Sequence, residues 1–425
     1  MIAAFLAVLA SGAVCPDHLC DAERLRPYFA KLAEARGGRR TVRVIQIGDS
    51  HTAGDQITGA WRTALQARYG SAGRGVLAPG RPYQGYLTRG ITAAQSPGWV
   101  VDGIFGAAWH DGAGASRGLS HYSLSTRTEG ASLSLAADAG KAFDRFTVCA
   151  IHTPGAGVLT LTAGTASATV PLGDAGGPRC TTLHTDAPVF AAALSVTGGP
   201  VTITSWATER DAGGVALSNL GTVGIQMTHL ARVDDAVLGT ELREYRPDLL
   251  VVAFGTNEAF SPSLTPAGFE NAFRVQVARL RRFAPGVPML LLGAPDSATR
   301  RADLRAGYEG CDIGPRPAPS LAPIGADQPL LALIPSDWSP TANLLTVQSL
   351  QRRLAHELGL AYWDWSAAMG GRCTASVWAA LDPPLMRPDH VHFTSAGGRE
   401  IARRLQRDLD AAARTLGAAD GEPAE

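Results

Sequence analysis

The sequence contains almost no lysine and has no excess of either charge. Only Lys31 and Lys141 are lysines, and the 38 basic residues balance 38 acidic residues, so the formal net charge is zero. Proteins that bind the nucleic-acid backbone normally carry an excess of basic residues. The composition therefore disfavours a nucleic-acid partner, and we attribute the near-absence of lysine to genomic base composition.

Long hydrophobic runs are also missing. A membrane-spanning helix needs about 20 apolar residues, and the apolar run Met1–Ala13 is shorter. A short run that ends in small residues is typical of a secretory signal peptide, with cleavage after Ala10 or Ala13. We therefore expect an exported, periplasmic protein with no membrane segment after residues 1–13 are removed. A lipid anchor on Cys15 is the alternative, but Val14 stands where such signals want Gly, Ala or Ser.

Cysteines are few, and their number is even. Six cysteines allow 15 pairings, so connectivity does not follow from the sequence. A zinc site built on Cys15, His18 and Cys20 would need a second cluster of ligands, which is absent from the sequence nearby. Export disulfides between sequence neighbours are the better prediction: Cys15 with Cys20, Cys149 with Cys180, and Cys311 with Cys373.

Glycine and proline, with 48 and 27 residues of 425, are too few and too aperiodic for a collagen-like or disordered chain. At roughly 100 to 200 residues per domain, the length suggests two or three domains. Strands alternate with helices over much of the chain, and this alternation predicts a parallel α/β sheet. The predicted elements are the strands 41–47, 214–217, 248–255, 287–294 and 361–365 and the helices 55–69, 266–283, 342–358 and 395–416.

Between Pro97 and Glu209 the pattern changes to short Thr-, Val- and Ser-rich segments separated by Gly/Pro turns. That pattern is typical of a small all-β sandwich. We therefore predict an α/β domain at residues 14–94 and 213–417, interrupted by a β domain at 95–212 and followed by a disordered tail at 418–425. The predicted β segments are 131–136, 145–152, 158–163, 166–171, 190–197 and 201–206.

Ser50 lies in Gly48-Asp49-Ser50-His51, at the junction of a predicted strand and helix. Open α/β sheets place their sites at the carboxyl ends of the strands, so Ser50 is a candidate nucleophile. Ordinary helix capping by Asp49 and Ser50 is the alternative interpretation.

Asp389 and His392 stand three residues apart, just before the last helix. A serine hydroxyl needs a base to take its proton, and the base needs a partner that orients it. His392 and Asp389 can supply these two roles. His390 competes for the role of base, although its adjacency to Asp389 makes it the weaker candidate; taken alone, each histidine could also be an ordinary loop residue.

Two further loops follow predicted strands and contain Gly224 and Asn257. Acyl transfer creates an oxyanion, which a glycine N–H and an Asn side-chain amide can stabilise. Each loop alone could be a simple turn. Together with Ser50 and the Asp389–His392 pair, however, both loops would converge at one edge of the sheet.

The GDS block at residues 48–50, Gly224, the GTNE block at 255–258 and the D-x-x-H block at 389–392 resemble the four sequence blocks of the SGNH/GDSL hydrolase superfamily. GDSHTAGD, FGTNEAF, GAPDS and DHVHFT are most similar to bacterial peptidoglycan O-acetylesterases that carry an inserted β-sandwich of carbohydrate-binding-module type. The resemblance implies a three-layer αβα fold with a parallel, flavodoxin-like sheet and a jelly-roll-like insertion. It covers residues 41–94 and 213–416, whereas the insertion matches only in position and β character.

The resemblance also implies roles for individual residues. Ser50 would be the nucleophile, His392 the base and Asp389 its partner, while the Ser50 N–H, Gly224 and Asn257 would form the oxyanion hole. The implied activity is removal of O-acetyl groups from a cell-wall glycan, most specifically peptidoglycan, with neither cofactor nor metal. The sequence departs from the GDSL pattern in having a histidine, not leucine, after Ser50, a variant associated with the peptidoglycan-acting branch.

Alternative functions remain open on the sequence alone. The same triad could pass acetyl to a sugar hydroxyl, as in an O-acetyltransferase, or the chain could be a non-catalytic glycan-binding protein. A metal-dependent deacetylase would use Asp389, His390 and His392 as ligands. Ser116 lies in a Gly-x-Ser-x-Gly motif, but residues 109–113 are no strand, so we do not expect Ser116 to be catalytic.

Aromatic residues make up only 7% of the chain, yet several lie in or near the predicted β domain. They could line a glycan groove, although packing in the sandwich core is the more frequent use of such residues. The candidates are Tyr83, Tyr86, Trp99, Trp109, Tyr122 and Trp206.

Overall fold

The computed structural model describes residues 15–110, 116–174, 176–300 and 338–418. The predicted signal peptide, Cys311 and all but the first residue of the predicted tail lie outside these ranges. In the ranges described, no helix is both long and apolar enough to cross a membrane.

The strands are β1 (Leu19–Cys20), β2 (Thr41–Gly48), β3 (Gly73–Leu77), β4 (Ile91–Gln95), β5 (Val100–Gly103), β6 (Tyr122–Thr126), β7 (Ser132–Ala137), β8 (Phe143–His152), β9 (Val158–Ala163), β10 (Ala166–Pro171), β11 (Gly177–Val189), β12 (Ala191–Thr197), β13 (Val201–Glu209), β14 (Gly214–Gly221), β15 (Leu249–Ala253), β16 (Met289–Leu292), β17 (Ala298–Arg300), β18 (Trp338–Pro340) and β19 (Ala361–Trp363). The helices are α1 (Arg26–Ala35), α2 (Ser50–Ala53), α3 (Ile57–Tyr69), α4 (Asp235–Tyr245), α5 (Thr256–Phe260), α6 (Pro266–Phe283), α7 (Leu344–Leu358), α8 (Trp365–Met369), α9 (Thr374–Ala379) and α10 (Ser395–Thr415).

The predicted parallel sheet is present. Its strands run in the order β14-β2-β15-β16-β19, all parallel, with the short antiparallel β1 at the edge beside β19. In chain order the parallel strands are arranged 2-1-3-4-5, which is the flavodoxin-like order. In such sheets the chain changes direction between the first and third strands, and this places the ligand-binding crevice at the ends of β2 and β15.

Helices cover both faces of this sheet, because side chains of a strand alternate between the faces. Val42 and Val44 belong to a core shared with α1, α3 and α10, whereas Ile45 and Ile47 belong to the core shared with α4, α6 and α7. The strands are buried on both faces, as parallel strands between helical layers must be. The three-layer αβα fold is therefore confirmed.

The other strands form an antiparallel β-sandwich. One sheet has the order β10-β9-β12-β7-β4 and the other β11-β8-β13-β6-β5, with β3 also paired to β13. Apolar side chains from both sheets, including Leu133, Leu161 and Trp206, meet in a separate core. The antiparallel sheets include β3 and β4, which end at residues 77 and 95, whereas the predicted β domain starts at residue 95.

Disulfide bonds join cysteines that are 5 and 31 residues apart in the sequence. Cys15 is bonded to Cys20, and Cys149 on β8 is bonded to Cys180 on the neighbouring strand β11. Cys373 is also disulfide-bonded, but its predicted partner, Cys311, lies outside the described residues.

Candidate active site

Ser50 is the first residue of α2, directly after the central strand β2. Asp49 caps this short helix by accepting a hydrogen bond from the N–H of His51 at 2.9 Å. Gly48 is required for close approach, because a Cβ there would overlap the carbonyl oxygen of Ala253 on β15. The strand-to-helix turn therefore holds the Ser50 hydroxyl at the carboxyl edge of the sheet.

Ser50, His392 and Asp389 lie in one hydrogen-bonded row. The Oγ of Ser50 is 3.0 Å from Nε2 of His392, and Nδ1 of His392 is 2.9 Å from Oδ2 of Asp389. This is the arrangement in which a histidine can take a proton from a serine while a carboxylate fixes the imidazole. The structure thus brings Ser50 together with a His–Asp pair that lies about 340 positions later in the sequence.

Asp389 is held in place by the backbone of its own loop. Its Oδ1 accepts hydrogen bonds from the N–H groups of Val391 and His392, both at 2.9 Å. Burial alone would raise the pKa of Asp389, but these N–H donors and His392 lower it below its ordinary value. The carboxylate therefore stays charged and oriented toward His392.

His51 joins the two loops of this row. Its Nε2 lies 2.9 Å from the carbonyl oxygen of Val391, and its Nδ1 lies 3.2 Å from Oδ1 of Asp49. Only 3% of the His51 side chain is exposed. Because Val391 directly precedes His392, this contact ties the histidine loop to the turn that carries Ser50.

The predicted oxyanion-hole residues lie on the two adjacent loops. Gly224 has φ of +84°, a conformation that L-residues rarely adopt, and a Cβ there would also approach the Phe105 ring to 2.7 Å. The Nδ2 of Asn257 donates to the carbonyl of Ile225 at 2.8 Å, which joins the two loops. Among the described residues, the N–H groups of Ser50 and Gly224 have no hydrogen-bond acceptor.

Ser50 and His392 open into a cleft of about 280 Å³. One wall comes from the loop between β3 and β4, which contributes Tyr83 and Leu87. Val223 and the exposed Arg387 line other sides. From the sequence, Tyr83 is only one of several aromatic candidates, and Arg387 is not a candidate, although it lies two residues before Asp389.

His390 lies outside the hydrogen-bonded row of Ser50, His392 and Asp389. Its Nδ1 is 3.0 Å from the Ser376 hydroxyl, and its ring stacks on Trp338 with ring centroids 3.6 Å apart. In the part of the chain that the structure describes, no three His, Cys, Asp or Glu side chains are grouped as metal ligands. Ser116 lies in a loop and not in a turn between a strand and a helix.

The aromatic candidates have different environments. Trp206 and Tyr122 are 0% and 5% exposed and belong to the protein interior. Trp109 is held between the guanidinium groups of Arg117 and Arg232, at 4.3 and 4.2 Å from its ring centroid. Tyr83 alone lines the cleft beside Ser50; Tyr86 packs against it edge to face, and the indole N–H of Trp99 donates to the backbone of the sandwich.

Comparison with known proteins places this geometry in a family context. Residues 190–400 match the model of the GDSL-like lipase/acylhydrolase family. The match includes Asn257, Asp389 and His392 but begins after Ser50. No curated protein sequence matched the chain.

Among solved structures, the chain is similar to a peptidoglycan O-acetylesterase, with 26% identity and a TM-score of 0.71 over 93% of this chain and 97% of that chain. Two other matches are a GDSL-like lipase from Parabacteroides merdae (16% identity, TM-score 0.31, 46% and 73% of the two chains) and a family two carbohydrate esterase from Clostridium thermocellum (11% identity, TM-score 0.29, 76% and 100%). Their TM-scores are too low to support an argument. The family model and the first structural match agree with the fold described above, and the chain is a serine esterase with a GDSL/SGNH hydrolase domain.

Proposed function

We propose that this protein removes O-acetyl groups from a cell-wall glycan, most specifically peptidoglycan, with Ser50 as nucleophile. The observation that carries the proposal is the 3.0 Å contact between Ser50 Oγ and His392 Nε2, with Asp389 behind the imidazole. The similarity to a peptidoglycan O-acetylesterase over nearly the whole of both chains supports the choice of substrate.

The first half of the reaction forms an acetyl-enzyme. His392 accepts the hydroxyl proton as Ser50 Oγ bonds to the acetyl carbonyl carbon, and the carbonyl oxygen becomes an oxyanion. The N–H groups of Ser50 and Gly224, which lack acceptors among the described residues, and the Asn257 amide are the donors for this oxyanion. The C–O bond to the sugar then breaks, and His392 returns the proton to the sugar oxygen.

The second half releases acetate. A water molecule loses a proton to His392 and bonds to the acetyl carbon, and the proton then returns to Ser50 as the C–O bond to Ser50 breaks. Asp389 stabilises the imidazolium in both halves without taking up a proton itself. Acetate and the free sugar hydroxyl are the products.

Two disulfides, Cys15–Cys20 and Cys149–Cys180, support an exported location for this activity, because such bonds persist in oxidising compartments. In a Gram-negative cell that compartment would be the periplasm, where peptidoglycan lies.

The test compares acetate release from O-acetylated peptidoglycan and from acetylated xylan. We expect the wild type to prefer peptidoglycan and Ser50→Ala to lose at least about 10⁴-fold in rate, because members of a triad act as a unit. Ser116→Ala is the matched control and should keep full activity, since Ser116 lies in a loop outside the cleft.

Full activity of Ser50→Ala would disprove the mechanism. Equal or faster release from acetylated xylan would disprove the substrate assignment. Acetylated glycan product in place of free acetate, when an acetyl donor and a glycan acceptor are supplied, would show an acetyltransferase instead.

A further inference from the structure

A second concave surface adjoins the catalytic cleft. It is a groove of about 530 Å³ between α3 and α10, and Gln56 lines both this groove and the cleft that holds Ser50. Ser395, at the start of α10, donates a hydrogen bond to Oε1 of Gln56 at 2.9 Å and lies three residues after His392. The groove therefore begins beside the reacting ester and leads away from it along α10.

Arginine dominates the charged residues of the groove. Four arginines of α10 are spaced by four, four and seven residues, which places them on one face of the helix, and a fifth comes from the loop before β4. Asp410 is the one acidic residue among the lining residues described. The five arginines are Arg89, Arg399, Arg403, Arg407 and Arg414.

Part of this positive charge is compensated within the protein. Arg403 is 2.7 Å from Glu400 and Arg407 is 2.8 Å from Asp408, while Asp410 is 2.7 Å from Arg68 outside the groove.

The remaining three arginines are uncompensated. Across the described ranges, no ion pair includes Arg89, Arg399 or Arg414. The Arg89 guanidinium contacts only neutral oxygens, of Gln56 and Ser395. The groove therefore keeps an excess of positive charge that faces solvent.

Charges beside the groove add to this excess, in an adjacent cavity that shares Gly59, Thr63 and Arg89 with it. Asp55 is fully buried between Arg62 and Arg74, so one carboxylate faces two guanidinium groups. Burial, followed by the charge of Arg62, lowers the pKa of Arg74 to about 10. Burial and the same two arginines also lower the pKa of Lys141. Burial is the larger cause of both shifts, and the charges of the neighbouring arginines add to it.

The shape of the groove suits an extended ligand. Its floor is made of small residues, Gly59, Ala60, Ala64 and Ala402, so a chain can lie between the arginine side chains. From Ser395 to Arg414 the helix is about 28 Å long at 1.5 Å per residue. A polymer, more than a single small anion, matches a row of cations of this length.

We propose that this groove binds carboxylate groups along an acidic glycan strand while an ester of the same strand reacts at Ser50. The proposal rests on the proposed function, and it names an acidic polymer as the substrate class. The planar guanidinium group of arginine binds a carboxylate through paired hydrogen bonds, and a row of such groups would hold the glycan strand in one register. Since the whole chain has zero net charge, its overall charge adds no attraction for an anionic polymer.

The test variant is Arg399→Gln/Arg414→Gln, because both side chains are exposed and neither makes a hydrogen bond or ion pair with any other described residue. We expect KM for soluble O-acetylated peptidoglycan fragments to rise about fivefold or more, with kcat unchanged. KM and kcat for 4-nitrophenyl acetate, which is small and neutral, should not change. The salt dependence of KM for the fragments should also weaken.

The matched control is Arg39→Gln/Arg243→Gln. These two arginines are also exposed, but they lie before β2 and β15, at the opposite edge of the sheet. The control should behave as the wild type with both substrates. An unchanged KM for peptidoglycan fragments in the groove variant, or an equal rise in the control, would overturn the proposal.

Failure of the proposed function can be told apart from failure of the groove. If the wild type hydrolyses 4-nitrophenyl acetate but not peptidoglycan esters, the proposed function fails. Binding of de-O-acetylated peptidoglycan fragments to Ser50→Ala, with and without the groove substitutions, then tests the groove directly. Binding that does not depend on Arg399 and Arg414, or dependence seen only with vesicles of anionic phospholipid, would contradict the glycan assignment.

Discussion

His51 is the residue that connects the Ser50 turn with the His392 loop. Both of its ring nitrogens face acceptors, the Val391 carbonyl and the Asp49 carboxylate. Burial lowers the pKa of His51, but the hydrogen bond and charge of Asp49 outweigh it and leave the pKa above its ordinary value. A protonated His51 can donate to both acceptors at once, so we regard it as a positioning residue for His392.

Replacing His51 with leucine, the residue that the GDSL pattern has there, removes both hydrogen bonds while keeping a side chain of similar bulk. We expect kcat for 4-nitrophenyl acetate to fall about tenfold, with KM nearly unchanged, because a lost hydrogen bond of about 1.4 kcal/mol frees the His392 loop. Steady-state kinetics and a thermal melt of the same samples check this.

His51→Gln is the comparison, since its amide can still donate to the Val391 carbonyl. It should recover part of the lost kcat. A leucine variant with the melting temperature and the kcat of the wild type would show that His51 does not position His392.

At the scale of elements, the site lies where local sequence patterns are strongest. The apolar runs of β2 and β15 and the turn residues that follow them predict a strand end and a loop, and the parallel order then brings Ser50 and Asn257 to one edge. Helix α6 begins and ends at the predicted residues 266 and 283. These features could be found from the sequence because each depends on residues close together in the chain.

Features that depend on distant partners could not be found in this way. Strand β11 is a half-exposed edge strand with Pro178 and Pro188 in it, so its sequence lacks both the alternation and the composition of a typical strand. Strand β3 pairs with β13, more than 120 residues later, and only that pairing places it in the sandwich. The loop after β3 then places Tyr83 in the cleft, and no local sequence pattern indicates this position.

The loop after β16 contains a buried carboxyl group, Asp296, that is 0% exposed. Its Oδ2 accepts the N–H of Ala375 at 2.8 Å, and the N–H of Ala298, the first residue of β17 after this loop, donates to the carbonyl of His390. Burial raises the pKa of Asp296 to about 7. This loop therefore contacts α9 through a group that titrates near neutral pH, while the residue that follows the loop contacts the Asp389–His392 segment.

An acid whose pKa is raised by folding takes up a proton on folding, so its contribution to stability falls as pH rises from the unfolded to the folded pKa. Wild type should thus lose stability between pH 5 and pH 8 partly through Asp296. In Asp296→Asn this loss should be smaller by about 2 to 3 kcal/mol, because the window covers about two pKa units at 1.36 kcal/mol each.

Urea unfolding at pH 5 and pH 8, with disulfides intact, measures this difference. Glu258, whose pKa burial also raises to about 7, remains in the variant, so some pH dependence should persist. If the free energies of unfolding of wild type and variant differed by the same amount at both pH values, the expectation would be contradicted.

At the scale of the whole molecule, the β-sandwich is built into the α/β domain and is not a separate appendage. Val76 and Ala207 of its strands pack in the same core as the sheet residues Ile45 and Val252. Its Tyr83 loop forms a wall of the cleft beside Ser50. The sandwich therefore shapes access to Ser50, whether or not its outer surface binds glycan.

The junction between the two parts depends on Glu241 of α4, which is 0% exposed. Its Oε1 accepts the hydroxyls of Thr204 and Ser205 on β13 at 2.6 and 2.5 Å, and its Oε2 accepts the N–H of Leu119 at 2.6 Å. Burial raises the pKa of Glu241 above its ordinary value. One helix side chain thus satisfies three buried donors that belong to the sandwich and its connecting loop.

Glu241→Leu would leave these three donors without an acceptor at a buried junction. We expect the free energy of unfolding to fall by about 2 to 4 kcal/mol, because an unpaired buried donor costs about 1 to 3 kcal/mol and the two hydroxyls can rotate toward other acceptors. In Glu241→Gln, one amide oxygen still accepts and the charge no longer has to be buried, so the loss should be about 1 kcal/mol or less. Urea unfolding of both variants measures the two losses, and equal stability of Glu241→Leu and wild type would mean that apolar packing alone holds the sandwich on α4.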